Sequence, residues 1–308
     1  MTGGRPARLG RAAGLAAFVV VALASLACRA DSGPGAAPLV PLRLAVLGIN
    51  AGPQQLGIDH GVYARHGIDL QVLHFIGGGP GATVAAASGQ VDMGEYGTPI
   101  LIGIASGLHI KVVGSPAVKA NPFELVGRTG IGSVRDLKGK TATSGVLGGG
   151  DGHQAILKIL RDNGLGTDDV QLVGSGGADA ELVLRSGRVD AVITNELTRR
   201  KVVDEGRGSL LARAQDYFGH YQHNYVYATD QFIAAHPETV RNYFLATRES
   251  LEYARANLDE LVDFAASQVM VKKPLIRAYY ESQIIQCDLI PTLGGSDSFV
   301  SFPDAGRF

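Results

Sequence analysis

Three glycine-containing loops of the sequence could bring backbone N–H groups close to a bound molecule. Glycine has no Cβ, so its backbone can approach a ligand closely. A helix is predicted after each loop, and a helix N-terminus offers free N–H groups and a partial positive charge that favour an anion. Plain turn formation explains any single loop equally well. The candidate ligand-binding residues of the loops Asn50–Gly52, Gly77–Gly81 and Gly148–Gly152 are Asn50, Gly52, Gly78, Gly79 and Gly149.

Polar side chains follow the predicted strands at the same end of the fold. The segment "MGEYGTP" comes after Asp92 and the matching segment "ITNELT" after Asp190, so both are expected to project towards one gap. Asp151 and His153 lie at a predicted helix start, where Asp commonly caps the helix. A solvated, capping or hinge role is the alternative to ligand contact for each residue. The candidate ligand-binding side chains are Glu95, Tyr96, Thr98, Asp151, His153, Asn195, Glu196, Asn224 and Tyr225.

Signatures of enzymes and metal sites are poor in this chain. The tripeptide "GKT" at Gly139–Thr141 suggests a phosphate-binding loop, but Val134 stands where that motif needs its first glycine. No G-x-S-x-G elbow, C-x-x-C pair or H-E-x-x-H motif is present. His220 and His223 fall on a predicted strand, where residues three apart point to opposite sides. We therefore predict no catalytic residue, no metal site and no cofactor.

A five-residue phrase occurs twice and indicates an internal repeat. "SGQVD" stands at Ser88–Asp92 and "SGRVD" at Ser186–Asp190, 98 residues later. Each copy follows a β stretch, a glycine loop and a short helix, and a second β stretch comes after it. Parallel strands joined in this way need the helix on one face of the sheet. The repeat therefore predicts two similar α/β lobes, with each phrase at the corner between a helix and a strand.

The N-terminal residues have the pattern of an export signal followed by an anchor. Arginines at positions 5, 8 and 11 precede an apolar run from Gly14 to Ala27, which is too short to span a bilayer as a stable helix. The run ends at Cys28 in "SLAC", which resembles a bacterial lipobox with its leucine one place late. We expect lipidation at Cys28, with a soluble secreted protein as the alternative. Cys287 is then alone in the mature domain, so an internal disulfide cannot form.

Composition and the order of predicted elements set the expected domain organisation. The 308 residues carry a net charge of -1, so the chain has no broad basic surface and nucleic acid is not an expected partner. Segment Pro116–Arg128 should carry the chain from lobe one to lobe two, and Tyr217–Phe232 should bring it back. The rest of the C-terminal third is predicted as helices packed on lobe one. The expected boundaries are a signal peptide at 1–28, a tether at 29–39, lobe one at 40–122 and 228–308, and lobe two at 123–227.

Five segments occur in an order that is more specific than any one motif. They read "GVYARHGIDLQV", "GGPGATVAAASGQVDMGEYG", "SVRDLKGKTATSG", "DNGLGTDDVQLV" and "LRSGRVDAVITNE". Together they resemble the periplasmic substrate-binding proteins of the nitrate, sulfonate and taurine type, a group that includes binders of pyrimidine thiamine precursors. The resemblance implies an α/β, two-lobed type II periplasmic binding protein fold with two crossing hinge strands. Members usually continue with another helix where this chain ends at Phe308, so we expect exposed apolar surface on lobe one.

The resemblance implies a binding protein of an ABC importer rather than an enzyme. Such a protein captures a small molecule in the cleft between its lobes and delivers it to permease and ATPase subunits. It would be an exported monomer, in the periplasm or held at the outer face of the cytoplasmic membrane by its lipid anchor. A sensor that serves a membrane receptor has the same fold and is the alternative. A pyrimidine-precursor synthase is also similar, but it carries a cysteine-rich iron-binding motif, whereas the mature domain here has only Cys287.

The residues leave the class of ligand open. Glycine loops at helix N-termini favour an anion such as a sulfonate, nitrate or carboxylate. Glu95 and Glu196 would instead repel an anion and accept hydrogen bonds from amino groups. Tyr96, Phe123 and Tyr225 could stack on a ring. We favour an uncharged or cationic heterocycle over a simple oxyanion.

Overall fold

The computed structural model describes residues 38–46, 51–73, 78–114, 123–145, 150–174, 180–219, 224–269 and 271–282. The predicted signal peptide, residues 29–37 of the tether and the C-terminal residues 283–308 lie outside these ranges. The same holds for Cys28, Asn50, Gly149, Cys287 and the pair His220 and His223, so their roles stay predictions. Among the described residues, no helix is both long and apolar enough to cross a membrane.

The first mixed sheet consists, within the described residues, of β1 (Val40–Ala45), β2 (Ile68–Leu73), β3 (Met93–Tyr96), β4 (Ile110–Gly114) and β10 (Tyr225–Thr229). Their order across the sheet is β2-β1-β3-β10-β4. Strands β1, β2 and β3 run parallel, and β10 runs antiparallel to both β3 and β4. The helices that accompany this sheet are α1 (Gly52–Asp59), α2 (Val62–Arg65), α3 (Gly78–Ala87), α4 (Thr98–Ala105), α9 (Asp230–Ala235), α10 (Pro237–Ala256), α11 (Leu258–Gln268) and α12 (Lys273–Tyr280).

The second mixed sheet has the same layout with different strands. It consists, in the described part of the chain, of β5 (Phe123–Arg128), β6 (Lys140–Thr143), β7 (Val170–Val173), β8 (Ala191–Asn195) and β9 (Gly208–Arg213). The order is β7-β6-β8-β5-β9, with β6, β7 and β8 parallel and β5 antiparallel to β8 and β9. Its helices are a 3₁₀ turn (Val134–Leu137), α5 (Asp151–Asp162), α6 (Ala180–Arg185), α7 (Glu196–Val203) and α8 (Ala214–Phe218).

The antiparallel strand of each sheet is the one by which the chain enters from the other sheet. Strand β5 is the first strand of the second sheet along the chain, and β10 enters the first sheet after the whole second sheet. The predicted α/β fold with two lobes and two crossing strands is therefore confirmed. Both sheets repeat the order of three parallel strands followed by one antiparallel strand, which explains the internal sequence repeat.

The returning segment differs in detail from the prediction. Residues 217–219 and 224–232 of this segment are described, and they form the end of α8, strand β10 and the start of α9. Strand β10 begins at Tyr225, three residues before the expected boundary at 228, and Val226 and Tyr227 are buried in the core of the first sheet. Tertiary pairing with β3 and β4 places these residues in the first sheet, and the local sequence pattern does not show that pairing.

The repeated phrase ends a helix in the same way in both sheets. Gly89 and Gly187 follow α3 and α6 with φ of 70° and 71°, the left-handed region that glycine adopts without strain at a helix C-terminus. The hydroxyls of Ser88 and Ser186 donate to the carbonyls of Ala85 and Val183, at 3.2 and 3.1 Å. The predicted corner between helix and strand is confirmed in each copy.

The aspartate that closes the phrase ties two parallel strands together. The carboxylate of Asp92 accepts the backbone N–H of Arg43 on β1 at 2.9 Å, and Asp190 accepts the N–H of Thr141 on β6 at 3.0 Å. Each carboxylate also accepts from a guanidinium: Arg43 Nη2 lies 2.6 Å from Asp92 Oδ1, and Arg128 Nε lies 2.9 Å from Asp190 Oδ1. We call this arrangement the aspartate clamp. It sits at the amino ends of β3 and β8, away from the loops that the sequence marked for binding.

Each sheet has its own hydrophobic cores, one on each face. On the first sheet, Leu44, Met93 and Tyr243 belong to a core shared with α2 and α10, whereas α3 and α4 cover the opposite face. On the second sheet, α5 and α8 pack on one face, and α6 and α7 on the other. Helices α10, α11 and α12 add a further apolar cluster with α1. Of the C-terminal helices, α10 therefore packs on the first sheet, and α11 and α12 pack on α1 and α10.

Candidate functional site

The carboxyl ends of the parallel strands of the two sheets face each other. Helix α4 begins with Thr98 just after β3, and α5 begins with Asp151 after β6. The backbone N–H of Thr98 lies 3.3 Å from each carboxylate oxygen of Asp151, so the two lobes touch at this point. Ligands of open α/β sheets bind outside the carboxyl ends of the strands. We call the region around this contact the cleft.

Several buried polar atoms at these strand ends have no hydrogen-bond partner among the described residues. They belong to both lobes, and each lies on an element that ends or begins at the cleft. Buried polar groups in native proteins are nearly always paired, so unpaired ones call for an explanation. A polar ligand between the lobes would provide the missing partners. The atoms are Gln54 Oε1, Tyr96 Oη, Thr143 Oγ1, Ser144 Oγ and His153 Nδ1.

A buried network surrounds the carboxylate of Glu95 at the end of β3. The hydroxyl of Tyr243 donates to Glu95 Oε1 at 2.5 Å, and Gln54 Nε2 donates to the same oxygen at 3.1 Å. Both partners are neutral. Burial raises the pKa of Glu95 above its ordinary value, although the two hydrogen bonds oppose the shift. The pKa of Tyr243 is raised by burial and by the charge of Glu95.

Two tyrosines lie opposite each other on β3 and β10. Tyr96 pairs with Tyr225 in the antiparallel register of these strands. Burial raises the pKa of Tyr96 to about 12. Burial also raises the pKa of Tyr225, and the charge of Asp151 adds to the effect. Both hydroxyls therefore remain protonated at neutral pH and can donate hydrogen bonds.

Two of the predicted glycines lie in close helix contacts. A Cβ on Gly52 would lie 2.7 Å from Leu261 and 2.8 Å from the hydroxyl of Tyr280, so α1 packs closely on α11 and α12 at this point. A Cβ on Gly79 would lie 2.7 Å from Pro99, where α3 meets α4. Gly78 is the first residue of α3. Gly52 and Gly79 thus allow close packing between helices, and ligand contact by the backbones of all three glycines stays a prediction.

The predicted residues after β8 have partners within the protein. The side chain of Asn195 caps α7 by accepting the N–H of Thr198 at 3.0 Å. The carboxylate of Glu196 accepts from Arg200 Nε at 2.9 Å and from the hydroxyl of Ser282 at 2.7 Å. Since Ser282 follows α12, this contact joins the C-terminal helices to the second sheet. Asn224 directly precedes β10.

Four residues of this region were missed by sequence reasoning. Thr143 and Ser144 end β6 in the segment "TATSG", and their hydroxyls before a glycine loop were a usable signal. Gln54 belongs to the first turn of α1, next to a loop that was identified. Tyr243 lies on α10, 148 residues after Glu95, and no local pattern connects the two.

A separate concavity of about 450 Å³ lies at the opposite end of the second sheet, away from the cleft. Arg128, Arg185 and Arg207 line it, together with Leu184 and Val202. Each arginine is already paired with a neighbouring carboxylate, at 2.8, 3.3 and 3.1 Å. The concavity therefore has little unpaired charge for a ligand, and the cleft remains the candidate site.

Comparisons with known proteins agree with this architecture. The structure is similar to the alkanesulfonate-binding protein SsuA from Xanthomonas axonopodis pv. citri bound to MOPS, with a TM-score of 0.68 and 20% identity over 79% of this chain and 84% of that one. It is also similar to the periplasmic nitrate-binding protein NrtA from Synechocystis PCC 6803, with a TM-score of 0.66 and 13% identity over 78% of this chain and 70% of that one. At these identities the likeness establishes the fold.

Sequence comparison adds a relative and a family. An Escherichia coli (strain K12) protein, provisionally named an aliphatic sulfonates-binding protein, is 32% identical over 116 residues, which is 37% of this chain. The alignment spans 36% of that protein, about a third of its length. The model of the family described as NMT1/THI5 like matches residues 50–261, which is more than half of the chain. The predicted resemblance is confirmed, and the protein belongs to the NMT1/THI5-like family.

Proposed function

We propose that this protein is an extracytoplasmic substrate-binding protein of an ABC importer. In this role it holds a small molecule in the cleft and delivers it to a permease with its ATPase subunits. Family membership and the fold shared with sulfonate-binding and nitrate-binding proteins support the proposal. The absence of recognisable catalytic motifs from the sequence favours binding over catalysis.

The observation that carries the proposal is the set of buried polar atoms on both sides of the cleft that have no hydrogen-bond partner among the described residues. Gln54 and Tyr96 come from the first lobe, and Thr143, Ser144 and His153 from the second. A lone unpaired atom has many explanations, but five at facing strand ends fit a ligand that bridges the lobes. The set offers hydroxyl, amide and imidazole groups, which suits recognition of a small polar molecule.

A thermal-shift screen of the exported part of the chain tests the proposal. The probes are sulfonates, nitrate, carboxylates, pyrimidines, thiamine and flavins, chosen as anions and ring compounds. A ligand present at 100 times its Kd and bound only to the folded state adds about 2.7 kcal/mol of stability. We expect one class to raise Tm clearly. A folded protein that responds to no class, in the screen and in calorimetry, contradicts a role as a soluble-ligand carrier.

Ser144→Ala tests the site itself. The hydroxyl of Ser144 is buried and has no hydrogen-bond partner in the described part of the chain, so its removal should leave the stability of the free protein unchanged or slightly higher. The same change should lower the affinity for the ligand found in the screen about tenfold, which is a loss of about 1.4 kcal/mol of binding free energy. Ser209→Ala on β9, at the far end of the second sheet, is the control and should alter neither quantity. Loss of stability without loss of affinity would assign Ser144 a packing role.

The proposal includes export and a lipid anchor at Cys28. The support is the N-terminal sequence pattern, with three arginines, an apolar run and the lipobox-like "SLAC". Cys28→Ala should move the expressed protein from the membrane fraction to the soluble exported fraction, because two acyl chains are needed for firm anchoring. Mass spectrometry of the N-terminal peptide checks for the diacyl group. Wild-type protein that is soluble and unmodified would favour the secreted alternative.

A further inference from the structure

The N-terminus of α4 has one backbone donor that the helix start itself does not satisfy. Helix α4 is eight residues long, and Gly97 before it provides no side-chain cap. The N–H of Ile100 donates to the carbonyl of Gly97 at 3.1 Å, and Pro99 has no N–H. The N–H of Thr98 therefore remains, at the point where β3 ends in the cleft. Helix N-termini with such a free donor are common binding points for anions.

Asp151 of the opposite lobe occupies this binding point. Both of its carboxylate oxygens lie 3.3 Å from Thr98 N, so they share the donor. Tyr225 lies near enough to feel the charge of Asp151, and Tyr96 opposite Tyr225 keeps a buried hydroxyl without a described partner. The chain thus places its own anion where a ligand anion would bind.

We propose that Asp151 is a specificity-determining residue that excludes oxyanions from the cleft. The proposal rests on the proposed function, because it concerns the ligand of that same site. A sulfonate or nitrate would compete with Asp151 for the N–H of Thr98 and would meet a like charge beside it. The cleft therefore takes a ligand whose polar groups donate hydrogen bonds to the carboxylate of Asp151, unlike the anions in the names of its relatives.

Two substitutions at Asp151 separate the effect of its negative charge from the effect of its side chain blocking the N–H of Thr98. Asp151→Asn removes the charge but keeps an acceptor oxygen, and Asp151→Ser also withdraws the side chain from Thr98. Isothermal titration with methanesulfonate and with nitrate measures the affinity for each anion. We expect no measurable binding to the wild type, weak binding to Asp151→Asn, and binding to Asp151→Ser with an affinity at least tenfold above the detection limit. Thermal melting of each variant checks that it is folded.

Asp136→Ser is the matched control. Asp136 also accepts backbone N–H groups at a helix start, from Gly132 and Ser133 at 3.0 and 2.9 Å, but it is exposed and belongs to the 3₁₀ turn of the second lobe. This variant should bind the anions no better than the wild type. An equal gain in Asp136→Ser would mean that net charge alone sets the affinity, which overturns the role given to Asp151.

Two other outcomes overturn the proposal. One is a wild-type protein that binds methanesulfonate or nitrate more tightly than Asp151→Ser does. The other is a pair of folded Asp151 variants that gain no affinity for either anion. These outcomes differ from failure of the proposed function, which is the lack of any ligand for the wild type in the broader screen. The Asp151→Ser variant can bind an anion even if the screen finds no ligand for the wild type.

Discussion

Two acidic residues show how position decides the behaviour of a carboxylate. Glu95 lies in the buried network with Tyr243 and Gln54, and burial raises its pKa. Burial acts to raise the pKa of Asp190 as well. Hydrogen bonds from the backbone of Thr141 and from Arg128 outweigh that effect, so the pKa of Asp190 is lowered. The first carboxylate therefore resists ionisation, whereas the second is stabilised in its charged form.

Glu95→Gln should stabilise the free protein at neutral pH. The folded-state pKa of Glu95 is raised above the unfolded value, so ionisation costs stability as the pH rises above the ordinary value of 4.5. Removal of the charge removes that cost. Below pH 4.5 the carboxyl is protonated in both states, and the two proteins should melt alike. Scanning calorimetry across this range measures the difference; a stabilisation that persists unchanged at acid pH would contradict the assigned cause.

At the scale of elements, the aspartate clamp explains why the same phrase occurs twice. In each sheet the helix ends at a left-handed glycine, and the next strand starts with an aspartate that holds the neighbouring strand. The clamp fixes the amino end of β3 or β8. Tyr96 and Asn195 are the last residues of these two strands, at the ends that face the cleft. The repeat thus has a structural role: it fixes the position of strands whose carboxyl ends lie at the cleft, and it does not itself lie in the cleft.

Asp190→Asn should destabilise the protein at neutral pH by about 1.5 to 3 kcal/mol, the range for hydrogen bonds to a charged group. The folded-state pKa of Asp190 is lowered, so its contribution is fully present above the unfolded value of 3.8 and is lost as the pH falls through the folded value. Urea unfolding at neutral pH and at a pH below the folded value measures both limits. An equal difference at the two pH values would show that the effect comes from packing instead.

At the scale of the whole molecule, the two sheets have separate cores. The apolar clusters of the first sheet contain residues of β1 to β4 and β10 with their helices, and those of the second contain β5 to β9. The lobes meet at Thr98 and Asp151 in the cleft and at Glu196 and Ser282 beside α12. Separate cores of this kind suit a molecule whose lobes move relative to each other around a ligand.

Hydrogen exchange should show that the lobes open independently. Asp92→Asn should speed exchange in β1 and β3 and leave β6 and β8 unchanged, and Asp190→Asn should do the reverse. The two variants serve as controls for each other, since they remove the same group from equivalent clamps. Faster exchange in both sheets from either variant would mean that the two lobes unfold as one cooperative unit.

The sequence alone determined the two α/β lobes, their glycine-ended helices and the cleft edge at which they meet. These features follow from local signals: a glycine at a helix end, alternation in a strand and the repeated phrase all act over a few residues. Local alternation also places Glu95 and Tyr96 on opposite faces of β3. The positions of the loops along the chain were enough to mark Thr98 and Asp151 as site candidates.

The tertiary structure alone decided which side chains meet. Glu95 acquires its environment from Gln54 and Tyr243, 41 and 148 residues away, and Thr98 contacts Asp151 across 53 residues. Such pairings depend on how strands and helices pack, and side-chain chemistry within one segment carries no record of them. For the same reason β10 joined the first sheet earlier than expected, and only the folded second lobe shows that the hydroxyls of Thr143 and Ser144 are buried without a partner among the described residues.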